Sequence, residues 1–201
     1  MKHSSLKGLL ALSFSALIAT AAQAATYVID PAHSNFGFSA KHLTVSEVHG
    51  NFSDVAGTIT YDPAKMDANA AEVTIQAKSI NTGNEQRDGH LRTGDFFDTE
   101  KFPAITFKST SATVTGTTLS LTGDLTIKGV TKTVTLPLEV SGPIKNPMGG
   151  DQVIGASGQL KINRQDYGVS WNKQMDQGGY VVGDDVTINI NIEAHEKTAA
   201  Q

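Results

Sequence analysis

The sequence predicts an all-β protein, a single antiparallel β-barrel of about eight strands with one short helix. Nearly every segment after Ala25 alternates apolar and polar residues with a period of two, the mark of strands with one buried face. Turn signals such as Asp30-Pro31, Asp62-Pro63 and Gly129 separate these segments, with almost no helical stretches between them, so successive strands run antiparallel. The inward faces are uniformly apolar and the outward faces carry Thr, Ser, Lys and Asn. Closure into a barrel leaves no exposed edge, and a β-sandwich would alternate in the same way.

Residues 1–24 stand apart. Lys2 and Lys7 precede the short apolar run Leu9–Ile18, and Ala22-Gln23-Ala24 has the small-x-small cleavage pattern, so a signal peptide is expected to be cleaved after Ala24. The run is too short to span a bilayer, and no other long apolar segment follows, so no integral membrane segment is expected. One domain remains, residues 25–201, with 14 basic and 20 acidic residues and a formal charge of −6. The acidic balance and the absence of a basic block argue against nucleic-acid binding. With no cysteine in the chain, thiolate catalysis, thiolate metal sites and disulfides are excluded.

Taken in order, Tyr27–Ile29 forms the first strand, and Phe36, Phe38, Ala40 and His42 then share one face. Gly50–Tyr61 reads as one strand with Val55, Gly57, Ile59 and Tyr61 inward. Ala71, Val73, Ile75 and Ala77 alternate next. Asn84–Arg92 is the one stretch after the leader suited to a helix of two turns. Ile105 and Phe107 open a further strand. Leu119–Ile127 and Val134–Val140, joined at Gly129, make the strongest hairpin, and Pro137 marks a bulge or an edge. Ser141–Gly150 reads as a Gly/Pro loop, Ile154–Ile162 as a strand, Asp184-Asp185 as a turn and Val186–Ala194 as the last strand. A disordered tail is expected from Glu196 to Gln201.

Function is sought in the irregular stretch Arg87–Phe107. Arg87, Asp88, His90 and Arg92 cluster there beside Phe96, Phe97, Phe102 and Phe107. A polar group next to rings suits a site that holds an apolar body and fixes its head. It equally suits a loop whose Phe residues plug a barrel while Arg87 and Asp88 pair with neighbours. Alternation places Phe36, Phe38, Phe97 and Phe107 in a cavity wall, and the loop argument places Arg87 and His90 at its mouth. His42, Phe52, Leu91, Phe96, Phe102 and Ile105 complete the candidate ligand-binding set, with Tyr167 and Trp171 from a second irregular stretch. Small inward residues (Ala40, Gly57, Ala71, Ala77, Gly123, Ala156, Gly158) either leave volume for a ligand or face Phe rings in a filled barrel.

Catalysis is the weaker class. Asp88 and His90 have no nucleophile in a recognisable setting, and Gly155-Ala156-Ser157-Gly158 lies mid-strand. The spacings of His33, His42, His49 and His90 match no short zinc motif. The alternative to a carrier is a metal-binding protein or hydrolase built on His33, His90 and Asp88. No cofactor is expected.

Several motifs occur in a fixed order: Tyr27-x-Ile29-Asp30-x-x-His33-Ser34, Gly50-x-Phe52, Arg87-Asp88-x-His90-Leu91, Asp95-Phe96-Phe97 and Phe102-Pro103-x-Ile105-x-Phe107. Gly123-x-Leu125-Thr126-Ile127-x-Gly129-Val130-Thr131 and Arg164-x-x-Tyr167-Gly168 follow. Across residues 25–195 this resembles the YceI family. The resemblance implies a lipocalin-like barrel that binds a polyisoprenoid or related long-chain lipid, such as an isoprenoid quinone or a fatty amide. It also implies a periplasmic protein, with homodimers common; no enzymatic activity is expected.

Overall fold

The computed structural model describes residues 24–176 and 178–197. The leader up to Gln23 and the tail from residue 198 lie outside them. The strands are β1 (Ala25–Ile29), β2 (Asn35–His42), β3 (Ser46–Phe52), β4 (Val55–Tyr61), β5 (Ala70–Gln76) and β6 (Ile80–Asn81). After helix α1 (Glu85–Arg92) come β7 (Ala104–Thr115), β8 (Thr118–Ile127), β9 (Val130–Lys145), β10 (Gln152–Asn163) and β11 (Val182–Glu196). Pairing runs β1-β4-β5-β7-β8-β9-β10-β11 and closes through β1–β11, all antiparallel. This is the expected eight-stranded barrel.

Eleven strands make eight staves because three staves are interrupted. β1 and β2 both pair with β11, β3 runs into β4 across Ser53-Asp54, and β5 reaches β6 through a 3-10 turn at Ala77–Ser79. The single strand expected from Gly50 to Tyr61 is therefore two. The facing bends are bonded together: Asp54 N donates to Ser79 Oγ at 3.1 Å and Gln76 N donates to Asp54 O at 2.9 Å. Each break is a slip in phase. Ile29 and Phe36, Phe52 and Val55, and Ala77 and Ile80 all point inward, and each pair lies an odd number of residues apart, which one regular strand cannot do.

Other boundaries also differ from the sequence reading. β9 continues through Pro143 to Lys145, so the loop expected from Ser141 begins at Asn146. Asp184 and Asp185 lie inside β11, and Glu196 pairs with Tyr27, so the chain stays ordered past the expected start of the tail. Pro137 keeps its place opposite Ser120, while the β9–β10 ladder stops one residue away at Leu138 and Gly158. A residue without an N–H sits where its strand loses a neighbour.

Inward Gly57, Gly123 and Gly158 do not leave volume. A Cβ would lie 2.7 Å from Glu72 O at Gly57, 2.4 Å from Lys108 O at Gly123 and 2.2 Å from Pro137 O at Gly158, so these glycines let adjacent strands approach. The β8–β9 hairpin turns through Lys128 and Gly129, both at positive φ, as a two-residue connection requires.

Candidate functional site

The barrel encloses a cavity of about 220 Å³ that runs from the end carrying α1 to the end closed by the Asp62–Asn69 turn. Phe36, Phe38, Phe52 and Phe107 line it from the interrupted staves and β7. Leu91 on α1, Phe96 and Phe97 on the following loop, and Ile105 and Tyr167 also reach it. These are nine of the fourteen candidate residues. The rings form a chain, with Phe38 and Phe52 centroids 5.7 Å apart and Phe52 and Phe97 5.8 Å apart and edge-on.

The other five lie elsewhere. His42 ends β2 opposite Ser46 and Val182 and does not line the cavity. Phe102 lies on the β8–β9 turn, where a Cβ on Gly129 would meet its ring at 2.6 Å. Trp171 and His90 stack outside Phe96, with ring centroids 5.4 and 5.0 Å from it, and cap the cavity without lining it.

Arg87 does not form a mouth. Asn84 caps α1 by accepting from Arg87 N at 3.0 Å, as an Asn at this position should. Arg87 Nε donates to Thr82 Oγ1 at 2.7 Å, and its NH2 group donates to Thr82 O at 2.8 Å. Buried Asp88 accepts from Thr82 N at 2.9 Å, and Arg92 donates to Lys78 O and Ile80 O. A helix this polar has almost no apolar stripe to dock with, so hydrogen bonds to β6 and its flanks hold it. The cluster anchors the helix. His90 pairs with Asp95 at 2.7 Å. His33, on the β1–β2 turn, instead bonds Asp30 at 2.7 Å, so His33, His90 and Asp88 do not form one centre.

The candidate set includes no residue from the strands β8–β11, yet these strands supply much of the wall. Leu121, Leu125, Leu138, Ile154, Ile162 and Ile190 line the cavity as much as the Phe residues do, and their alternation was the available signal. Arg164 also reaches the cavity, although it is 5% exposed. It donates to Gly183 O, Val169 O, Trp171 O, Val182 O and Asp184 Oδ1 at 2.6–3.4 Å. Burial lowers its pKa, and Asp184 acts in the opposite direction. All five donors are spent within the protein, which staples the 164–184 segment to the barrel end.

Burial, with a smaller contribution from the Asp166 carboxylate, raises the pKa of the Tyr167 phenol near that end. At the other end burial raises Tyr61. Among the described residues no buried side-chain nitrogen or oxygen lacks a hydrogen-bond partner, and the cavity wall is almost entirely carbon. Such a space offers contact to an apolar chain and no directional partner to a polar one. None of the described helices is long and apolar enough to cross a membrane.

Comparison with known proteins agrees with this architecture. A UPF0312 protein of Staphylococcus aureus (strain N315) is 41% identical over 167 residues, 83% of this chain and 95% of the relative. The crystal structure of Burkholderia cenocepacia BcnA is similar, with TM-score 0.72 and 28% identity, covering 82% of this chain and 98% of that one. A polyisoprenoid binding domain from Saccharophagus degradans has the same fold, with TM-score 0.64 at 18% identity over 87% of this chain and all of that one. The YceI-like domain matches residues 27–194, nearly the whole barrel, and this chain belongs to the YceI family.

Proposed function

We propose that this protein is an exported, periplasmic carrier that holds a polyisoprenoid or similar long-chain lipid, such as an isoprenoid quinone or a fatty amide, inside the barrel. The almost entirely apolar wall of the cavity carries the reading. Burying a hydrocarbon chain gains about 0.8 kcal/mol per methylene, so roughly ten carbons give about 8 kcal/mol, near micromolar affinity before association costs. Binding without chemistry suits a site whose polar groups are already satisfied. The neighbouring solved structure described as a polyisoprenoid binding domain supports the same ligand class. Export rests on the n-region, apolar run and Ala22-Gln23-Ala24 site.

The cavity is smaller than the roughly 300–1,000 Å³ that encloses drug-sized ligands. A long prenyl chain therefore enters by displacing ring side chains. Native mass spectrometry followed by organic extraction tests the proposal and also reads the oligomeric state. One long-chain lipid per chain is expected, with no lipid in Phe107→Asp, which places a charge in the wall. Equal lipid content in a folded Phe107→Asp would overturn the wall assignment. A bare wild-type protein that takes up no prenyl chain when offered one would overturn the carrier.

A further inference from the structure

Outside the barrel, where β1 turns towards β2, lies a second polar cluster whose residues do not line the cavity. Asp30 and His33 come from the turn, Glu193 and His195 from the outward face of β11, and Asp151 from the residue before β10. Four of their atoms form a ring in which carboxylate and imidazole alternate. The edges are Asp30 Oδ2 to His33 Nδ1 at 2.7 Å, His33 Nδ1 to Glu193 Oε1 at 3.7 Å, Glu193 Oε1 to His195 Nε2 at 3.2 Å and His195 Nε2 to Asp30 Oδ2 at 3.7 Å. A divalent ion held at about 2.0–2.2 Å by nitrogen and oxygen sets neighbouring ligand atoms about 2.9–3.5 Å apart. The ring edges bracket that spacing.

The surroundings of the ring also fit a metal. His195 Nδ1 is bonded to Asp151 Oδ2 at 2.6 Å, and Asp151 Oδ1 accepts from Asn146 Nδ2 at 3.0 Å. A carboxylate on the far nitrogen fixes the tautomer and plane of a metal-ligating histidine, and here it leaves Nε2 facing Asp30 and Glu193. The other Asp30 oxygen accepts from Ala32 N at 2.8 Å, and Ser34 Oγ both donates to Glu193 O and accepts from Glu193 N. The ligand positions are thus supported from outside the ring. Three carboxylates against two imidazoles leave the cluster negative in either protonation state of the histidines. The His33 side chain is 65% exposed, which leaves a way in.

We propose that Asp30, His33, Glu193 and His195 bind one divalent transition-metal ion, with Asp151 as the positioning residue for His195. Two imidazoles and two carboxylates without sulfur suit Zn2+ and Cu2+. Bound there, the ion would tie the β1–β2 turn to β11 at the seam where the barrel closes.

The test is calorimetric titration of untagged, metal-depleted protein with Zn2+, with Cu2+ electron paramagnetic resonance on the same samples. One Zn2+ per chain is expected, together with a rise in Tm that Mg2+ does not give. His33→Gln and His195→Gln should each abolish the stoichiometric heat, and Asp151→Asn should weaken binding about 10–100-fold. The Cu2+ spectrum should show two nitrogen couplings in the wild type and one in either histidine variant. Unchanged far-UV circular dichroism and lipid content serve as the fold control. Undiminished Zn2+ heat in the His33→Gln/His195→Gln double variant, or none in the wild type, would overturn the site.

Discussion

Single residues decide whether the polar groups near the helix end serve the ligand or the fold. Arg164 is the clearest case, a buried guanidinium at the cavity whose five donors all end on the protein. Arg164→Met is expected to strand several carbonyls at about 1–3 kcal/mol each where no water replaces the donor. Loss of several kcal/mol by urea titration, with any lipid that remains unchanged in kind, would identify a staple. Unaltered stability with altered lipid class would make Arg164 a head-group contact. Arg87 and Asp88 show why such roles were not legible in the sequence. A charged residue in a short helix looks the same whether its partner is a ligand or Thr82, and the deciding partner is a backbone conformation that no residue name records. The helix itself, by contrast, was legible, because Asn84–Arg92 was the one stretch suited to two turns.

At the scale of elements, strand alternation was legible wherever it was unbroken, as in β8 and the Val134–Val140 part of β9. The interruptions were legible only as phase slips: Phe52 and Val55 cannot share a face on one strand, yet the bend between them contains no proline or glycine to announce it. Gly123 carries the prediction at this scale. β7 and β8 shift register between Ser109 and Ser111, opposite Gly123, and a Cβ would press on the Ser109 backbone at 2.6 Å. Gly123→Val is therefore expected to cost about 1–3 kcal/mol, the range for overpacking. Chemical denaturation should show it, with hydrogen exchange faster in the β7–β8 ladder than in β10–β11. Equal stability would mean that the backbones yield without cost.

Across the whole molecule, the buried phenols govern behaviour in alkali. Tyr27, Tyr61 and Tyr167 are 3%, 6% and 2% exposed, and burial is the main cause raising each pKa. A raised folded-state pKa contributes stability that is complete below the unfolded value of about 10 and lost as pH rises through the folded value. Phenolate absorbance should therefore rise together with loss of the β-sheet signal as the protein unfolds above that pH. Tyr61→Phe should retain more of its stability there. Ionisation of all three rings in a fully folded barrel would contradict the burial.

The interrupted staves are consecutive around the barrel, and the five staves from β7 to β11 are continuous. The wall is thus a stiff half-cylinder facing a jointed one. Phe36, Phe38 and Phe52 ride on the jointed side, with Phe97 edge-on to Phe52. A change of bore would begin where the ladders are already cut, at Ser53-Asp54 and Ala77–Ser79, and would work against the Asp54–Ser79 and Gln76–Asp54 hydrogen bonds that join these two bends. Calibre would then be set on one side of the molecule while the other keeps its curvature.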